Sequence, residues 1–368
     1  MTDEESLGSA PQPPLDAAVV TAPTPVTPVS PVEAVPIPPV VSAGQLVASS
    51  FELLLRLGDP LRRASFYIGI IVLGLIGPFV LATWGLLVAN PSLDVFNPIG
   101  DPAAPAAAVW MVLLLSLLVA GALISGIEST GVAIALLGGA QAGRPIGIRA
   151  AVQRTRMCFW SLVVASLCVS VPITIVQSII GQSTQAGFVS GLVVGTLIQW
   201  PFVYAQAGIV LGGVGPIEAL KRSIGIVRVR KVAALILAIL PSVYGLILLL
   251  GLSAGVDVAV RAMEALGLGT DSGPAGIALV TVLIVMIVFA IGTLLFTVNA
   301  IIYAPQVVMF VGLTRATMGL DRVLPGGDHD PDHHGADRPT FRWLTRPMLL
   351  GFALGGLALA GFLSTVLA

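Results

Sequence analysis

Apolar residues in this chain come in long unbroken runs, and the polar residues collect between them. Seven runs stand out: residues 64–89, 106–139, 157–180, 188–214, 232–255, 276–313 and 347–368. About 20 helical residues cross the roughly 30 Å hydrocarbon core of a bilayer, so each run predicts one membrane span. The second and sixth runs exceed that length and are expected to project past the bilayer on one side. Alternating ten-residue strands, the mark of a membrane β-barrel, are absent, and a helix satisfies its own backbone in lipid. The expected fold is an all-α integral membrane protein, a seven-helix bundle.

A second pattern precedes spans one, three and five. In residues 46–57, Leu46, Val47, Phe51, Leu54 and Leu55 recur at helical spacing among Ser49, Ser50, Glu52 and Arg56. A dozen residues are too few to cross, which predicts a helix lying along the membrane surface. After Gly147, residues Ile148, Ala151, Val152, Thr155 and Phe159 share one face, with Arg149, Gln153, Arg154 and Arg156 around the rest. The third such segment is 217–228. A repeat underlies this arrangement: Leu54 to Pro78, Ile148 to Pro172 and Ile217 to Pro241 are each 24 residues. Leu137-Gly138-Gly139 also parallels Leu211-Gly212-Gly213. The layout is three helical hairpins with interfacial amphipathic helices, plus an added C-terminal span. Residues 1–45, acidic and then dense in proline, form an extended tail that is expected to be disordered. Residues 46–322 form a six-span membrane domain, 323–343 a linker and 344–368 the seventh transmembrane helix.

Composition agrees. Of 368 residues, 56% are hydrophobic and 10% charged, with a mean hydropathy of +0.99. A soluble domain carries about a quarter charged residues, so most of this exterior faces lipid. A net charge of −1 points to no nucleic acid partner. The distribution of charge is more telling than its sum. Seventeen of the 18 basic residues precede span one or lie between spans two and three, four and five, or six and seven. The other loops hold only Arg261, beside Asp94, Asp101, Asp257, Glu264 and Asp271. Basic loops stay in the cytoplasm, so the amino terminus is expected inside and Ala368 outside. The amino terminus has no signal peptide pattern. Cys158 and Cys168 lie about 15 Å apart on one predicted helix and fit no redox or metal motif. They read as small packing residues.

Glu218-Ala219-Leu220-Lys221-Arg222-Ser223 resembles the "E-A-L-x-R-S" signature of a family of prokaryotic six-helix membrane proteins. That family is labelled as the membrane domain of glycerophosphoryl diester phosphodiesterase. The stretch from Met309 through Gly312-Leu313-Thr314-Arg315 to Met318-Gly319-Leu320-Asp321 is similar to its terminal "Y-x-D-L-R-x-x-x-E-G-L-D". Gly312 and Met318 stand where the family has acids, and the seventh span and proline tail are departures. The resemblance implies a standalone six-span membrane domain without the catalytic domain, in a prokaryotic cytoplasmic membrane.

Few residues are candidates for chemistry. Glu128 is the only acid inside a long apolar run, and a charge in hydrocarbon is costly enough to mark function or pairing. Either it pairs near the interface with an arginine such as Arg62 or Arg144, or it serves as a substrate or proton site. Gln199, Tyr204 and Gln206 in span four, with Asn299, Tyr303 and Gln306 in span six, either bond helix to helix or line a polar cavity. Pro201 and Pro305 free nearby carbonyls. Arg149, Arg154, Arg156, Lys221, Arg222 and Arg228 are candidate lipid-headgroup contacts. His329, His333 and His334, among Asp328, Asp330 and Asp332, are weak metal candidates in a Gly/Pro-rich linker. Glycines four apart, at 191/195, 208/212 and 351/355, permit close helix contact within the bundle or at a homodimer seam. No nucleophile, base or cofactor motif converges. The expected function is therefore non-enzymatic: a scaffold or assembly partner binding anionic lipid or protein at its cytoplasmic face. The alternative is a small-solute transporter or channel using Glu128 and the amides of spans four and six.

Overall fold

The computed structural model describes residues 43–89, 105–181, 187–265 and 273–317, with Val323, Gly355 and Ala358 singly. They belong to one compact unit, Pro39–Ala368. All their regular structure is helical, with no strand among the described residues. Among the described residues, five helical segments, one of them interrupted by a turn, are long and apolar enough to cross a membrane, so the fold is the expected all-α membrane bundle. The proline-rich tail, the histidine linker and the seventh apolar run lie outside the described residues, apart from the isolated positions above.

Helix α1 (Ala43–Arg56) leads into α2 (Gly58–Ala89), which packs against α3 (Pro105–Gln141) and α10 (Gly273–Thr317). These three are the most extensively packed helices, and glycine allows their closeness. A Cβ on Gly292 would lie 2.9 Å from the Gly69 Cα, and one on Gly121 would lie 2.9 Å from the Leu75 carbonyl oxygen. Backbone meets backbone there. The tight crossing thus falls at Gly69–Gly292. Gly208 and Gly212 make only ordinary contacts with Ala219 and Phe310.

The three interfacial segments form helices close to their expected bounds: α1, α4 (Ile148–Met157) and α8 (Pro216–Val229). In α1, Leu46, Ser50 and Leu53 are buried, while Val47, Phe51 and Leu55 are exposed. Its two apolar faces serve different neighbours, one packed on α10 and one open. Helix α8 starts with Pro216 in its first turn, where a missing N–H costs nothing. It buries Ala219, Ser223 and Val227 at i, i+4 and i+8.

Two spans differ from the simplest reading. Residues 188–214 are not one helix but α6 (Gly187–Gln199), a 3-10 turn (Trp200–Phe202) and α7 (Ala205–Gly212). Pro201 supplies no N–H and breaks the ladder. Gly213, at φ 62°, closes α7 in the left-handed conformation and donates to Ile209 O at 3.1 Å. Helix α5 (Phe159–Gly181) pairs with α6. Helix α9 (Lys231–Ala265) opens with the apolar stretch Lys231–Leu246 and packs far more lightly on α10 than α2 does. The main core gathers where α1, α4 and α8 meet the bundle, around residues 132–142, 203–211 and 300–311.

Candidate functional site

Three interior polar contacts start from consecutive residues of α3, Glu128, Ser129 and Thr130, and together make up a seam along it. At Gly131 any Cβ would collide with the Thr155 side chain, so glycine lets α4 close on α3. Thr155 and Ala151 are fully buried in that contact. The next side chain, Arg156, reaches Glu128: Nη2 lies 2.9 Å and Nε 3.0 Å from Glu128 Oε1. Arg156 Nη2 also approaches the Tyr67 hydroxyl on α2 at 3.4 Å. Glu128 is 1% exposed and Arg156 14%. The arginine is not one of the two expected. Arg62 pairs instead with Asp59, at 3.2 Å on the surface.

The residues after Glu128 carry the seam onward. Asn299 Nδ2 donates to Ser129 Oγ at 2.8 Å. One turn along α10, the Tyr303 hydroxyl donates to Gln206 Oε1 at 2.5 Å, beside Thr130 of α3. Gln206 Nε2 then contacts Ser166 Oγ on α5 at 3.5 Å. Helices α3, α5, α7 and α10 are stitched together through these side chains, as buried amides and hydroxyls require. Gln206 and Tyr303 thus share one hydrogen-bonded cluster, while Asn299 and Glu128 each make a separate contact at the neighbouring positions of α3. Tyr204 and Gln306 are also buried, but the Tyr204 hydroxyl and Gln306 Oε1 find no hydrogen-bond partner among the described residues.

The broken span is held at both ends. Ser223 Oγ on α8 donates to the Pro201 carbonyl at 2.8 Å and accepts from the Tyr204 N–H at 3.1 Å. Proline and the turn leave those two groups outside the helical ladder, and one hydroxyl takes both. At the other end, Arg154 Nε donates to Val210 O at 2.8 Å, and Cys158 Sγ lies 3.6 Å from Ile209 O. The last carbonyls of a helix lack internal donors, and a cation suits that end of the dipole. Arg154 and Ser223 each stand six residues into their repeat, counted from Ile148 and Ile217. Equivalent positions of two interfacial helices therefore clamp the same short helix.

This corrects the candidate headgroup set. Arg154 is 4% exposed and caps α7, and Arg156 is half-buried against Glu128; neither side chain is turned outward. Arg149, Lys221, Arg222 and Arg228 are exposed, and Arg222 Nε pairs with Glu218 Oε1 on the surface at 2.9 Å. His329, His333 and His334 lie outside the described residues. Tyr67, Ser166 and Ser223 were not singled out from the sequence for this network. Only Ser223 carried a signal, as the last letter of the Glu218–Ser223 signature.

Fold and seam together define a multi-pass helical membrane protein whose buried acid, Glu128, is paired with Arg156. No family model, curated protein or solved structure matches the chain.

Proposed function

We propose that this protein is a non-enzymatic membrane scaffold that holds anionic lipid or a protein partner on its basic face. One observation carries the reading. Glu128, the acid that a transport pathway would need available, is neutralised by Arg156 in a packed interior, while Arg149, Lys221, Arg222 and Arg228 project outward from α4 and α8. Those helices are fixed on their inner sides by Arg154 and Ser223, so their outer cations form a static array rather than a hinged one. Basic segments beside spans favour anionic lipid by about 1 kcal/mol per cation. The basic-loop rule puts this face, and the amino terminus, in the cytoplasm. The resemblance to the prokaryotic six-helix family belongs to the same proposal. Inward Ala219 and Ser223, with surface-paired Glu218 and Arg222, give its signature letters a physical reason.

The test is the lipid composition of native nanodiscs cut from membranes with styrene–maleic acid copolymer. The wild-type protein should be enriched in anionic lipid over the bulk membrane. Reversing Arg149, Lys221 and Arg222 to glutamate should remove most of that enrichment, and unchanged composition would refute the lipid-holding scaffold.

A small-solute transporter is the second reading, favoured by the buried Tyr204 hydroxyl and Gln306 Oε1 that lack protein partners among the described residues. It requires water at Gln306. In a background with Cys158 and Cys168 replaced by serine, Gln306→Cys would then react with a membrane-impermeant thiol reagent; no reaction would dismiss it.

A further inference from the structure

Between α9 and α10, under α1, lies a cavity of about 530 Å³, within the range of roughly 300–1,000 Å³ typical of small-molecule sites. Its walls are two facing stripes. Ile236, Leu240 and Tyr244 recur every four residues along α9, and Ile301, Pro305 and Met309 do so along α10. Residues four apart stack on one helix face, so each stripe runs about 12 Å at 1.5 Å per residue. Part of the wall is open toward lipid: Ile236 is 38% exposed and Val232 73%.

The charge at one end is one-sided. The α8–α9 junction bends at Arg230, whose φ of −129° and ψ of 57° leave the helix, and Arg228, Arg230 and Lys231 all border the cavity there. Among the described residues no acid lines it, and none of the three cations forms an ion pair. Three cations at the mouth of an apolar slot call for a ligand with an anionic head and a long apolar tail. A protein segment would bring main-chain donors and acceptors that these walls cannot satisfy, whereas an acyl chain brings none.

We propose that this cavity seats one anionic glycerophospholipid, its phosphate among Arg228, Arg230 and Lys231 and one acyl chain between the two stripes. The proposal deepens the lipid-holding reading by naming a saturable site that shares Arg228 with the outer array on α4 and α8 but none of Arg149, Lys221 and Arg222.

The full-length protein purified in mild detergent, incubated with phosphatidylglycerol or with phosphatidylcholine of the same chains, would be weighed intact by mass spectrometry. The expected result is one retained phosphatidylglycerol per protein and at least tenfold less phosphatidylcholine. The triple variant Arg228→Gln, Arg230→Gln, Lys231→Gln should lose that lipid at least tenfold. Ile301→Trp should lose it with all three charges present. The Arg149, Lys221, Arg222 reversal should keep it, even where it erases anionic enrichment of the surrounding bilayer. Wild-type protein photolabelled by phosphatidylglycerol carrying a diazirine on its acyl chain should be modified within 236–244 or 301–309, which needs no variant to fold. Equal retention of phosphatidylcholine, retention by both cavity variants, labelling elsewhere, or displacement of the lipid by millimolar inorganic phosphate would each overturn the site. Loss of bilayer enrichment alone would bear only on the outer array.

Discussion

Arg156 Nη2 lies 2.9 Å from Glu128 Oε1 across the contact of α4 with α3. A side chain from an interfacial helix thus neutralises the acid of a membrane span. Breaking a buried pair from one side leaves the other charge stranded and costs roughly 3–5 kcal/mol, whereas removing both is far milder. Glu128→Gln should therefore lower stability by several kcal/mol, and adding Arg156→Met should recover most of the loss. Unfolding in mixed micelles followed by tryptophan fluorescence measures both, and simple additivity of the two changes would dismiss the pairing.

The crossing of α2 and α10 gives a contrast between two glycines. Gly292→Ala forces a methyl group against the Gly69 Cα and the Val72 side chain, and overpacking of this kind costs about 1–3 kcal/mol. Gly126→Ala meets nothing within 4 Å and should stabilise α3 by about 0.5–1 kcal/mol, through the lower entropy cost of alanine in a helix. Melting temperatures moving in the same direction would contradict the crossing geometry.

Ser223→Ala strands the Pro201 carbonyl and the Tyr204 N–H together, at about 1–3 kcal/mol for each buried group left unsatisfied. The effect should be local. Hydrogen exchange of the α7 amides should quicken, while exchange in α2 stays unchanged. Equal acceleration in both helices would mean that Ser223 supports the whole bundle rather than the break.

Orientation is testable with single cysteines in a Cys158→Ser, Cys168→Ser background. Positions 94, 184 and 271 should react with an impermeant maleimide from outside, and 150, 225 and 330 only after the membrane is opened. Labelling of position 94 or 271 only from inside would reverse the assignment drawn from the basic loops.

Much of the fold was legible because lipid imposes strong patterns. Continuous apolar runs located α2, α3, α5 and α10, and helical periodicity located α1, α4 and α8 within a few residues. The partner of Glu128 was not legible. The sequence offered several arginines near that end of the span, and the choice among them is made by Gly131 admitting Thr155, a contact between residues 24 apart. Arg154 misled for a related reason. Its charge put it on the polar face of α4, but the carbonyl end of α7 supplies an acceptor that no pattern within α4 reveals. The break at Pro201 was visible as a proline. Its repair by Ser223, 22 residues on, was not.

The clamp on α7 also sets an order of events during synthesis. Arg154 precedes the broken span in the chain and Ser223 follows it. Once span four has been translated but α8 has not, the donor for the Val210 carbonyl is already in the chain, while the hydroxyl that serves the Pro201 carbonyl and the Tyr204 amide has yet to be made. Span four is finished by residues translated after it.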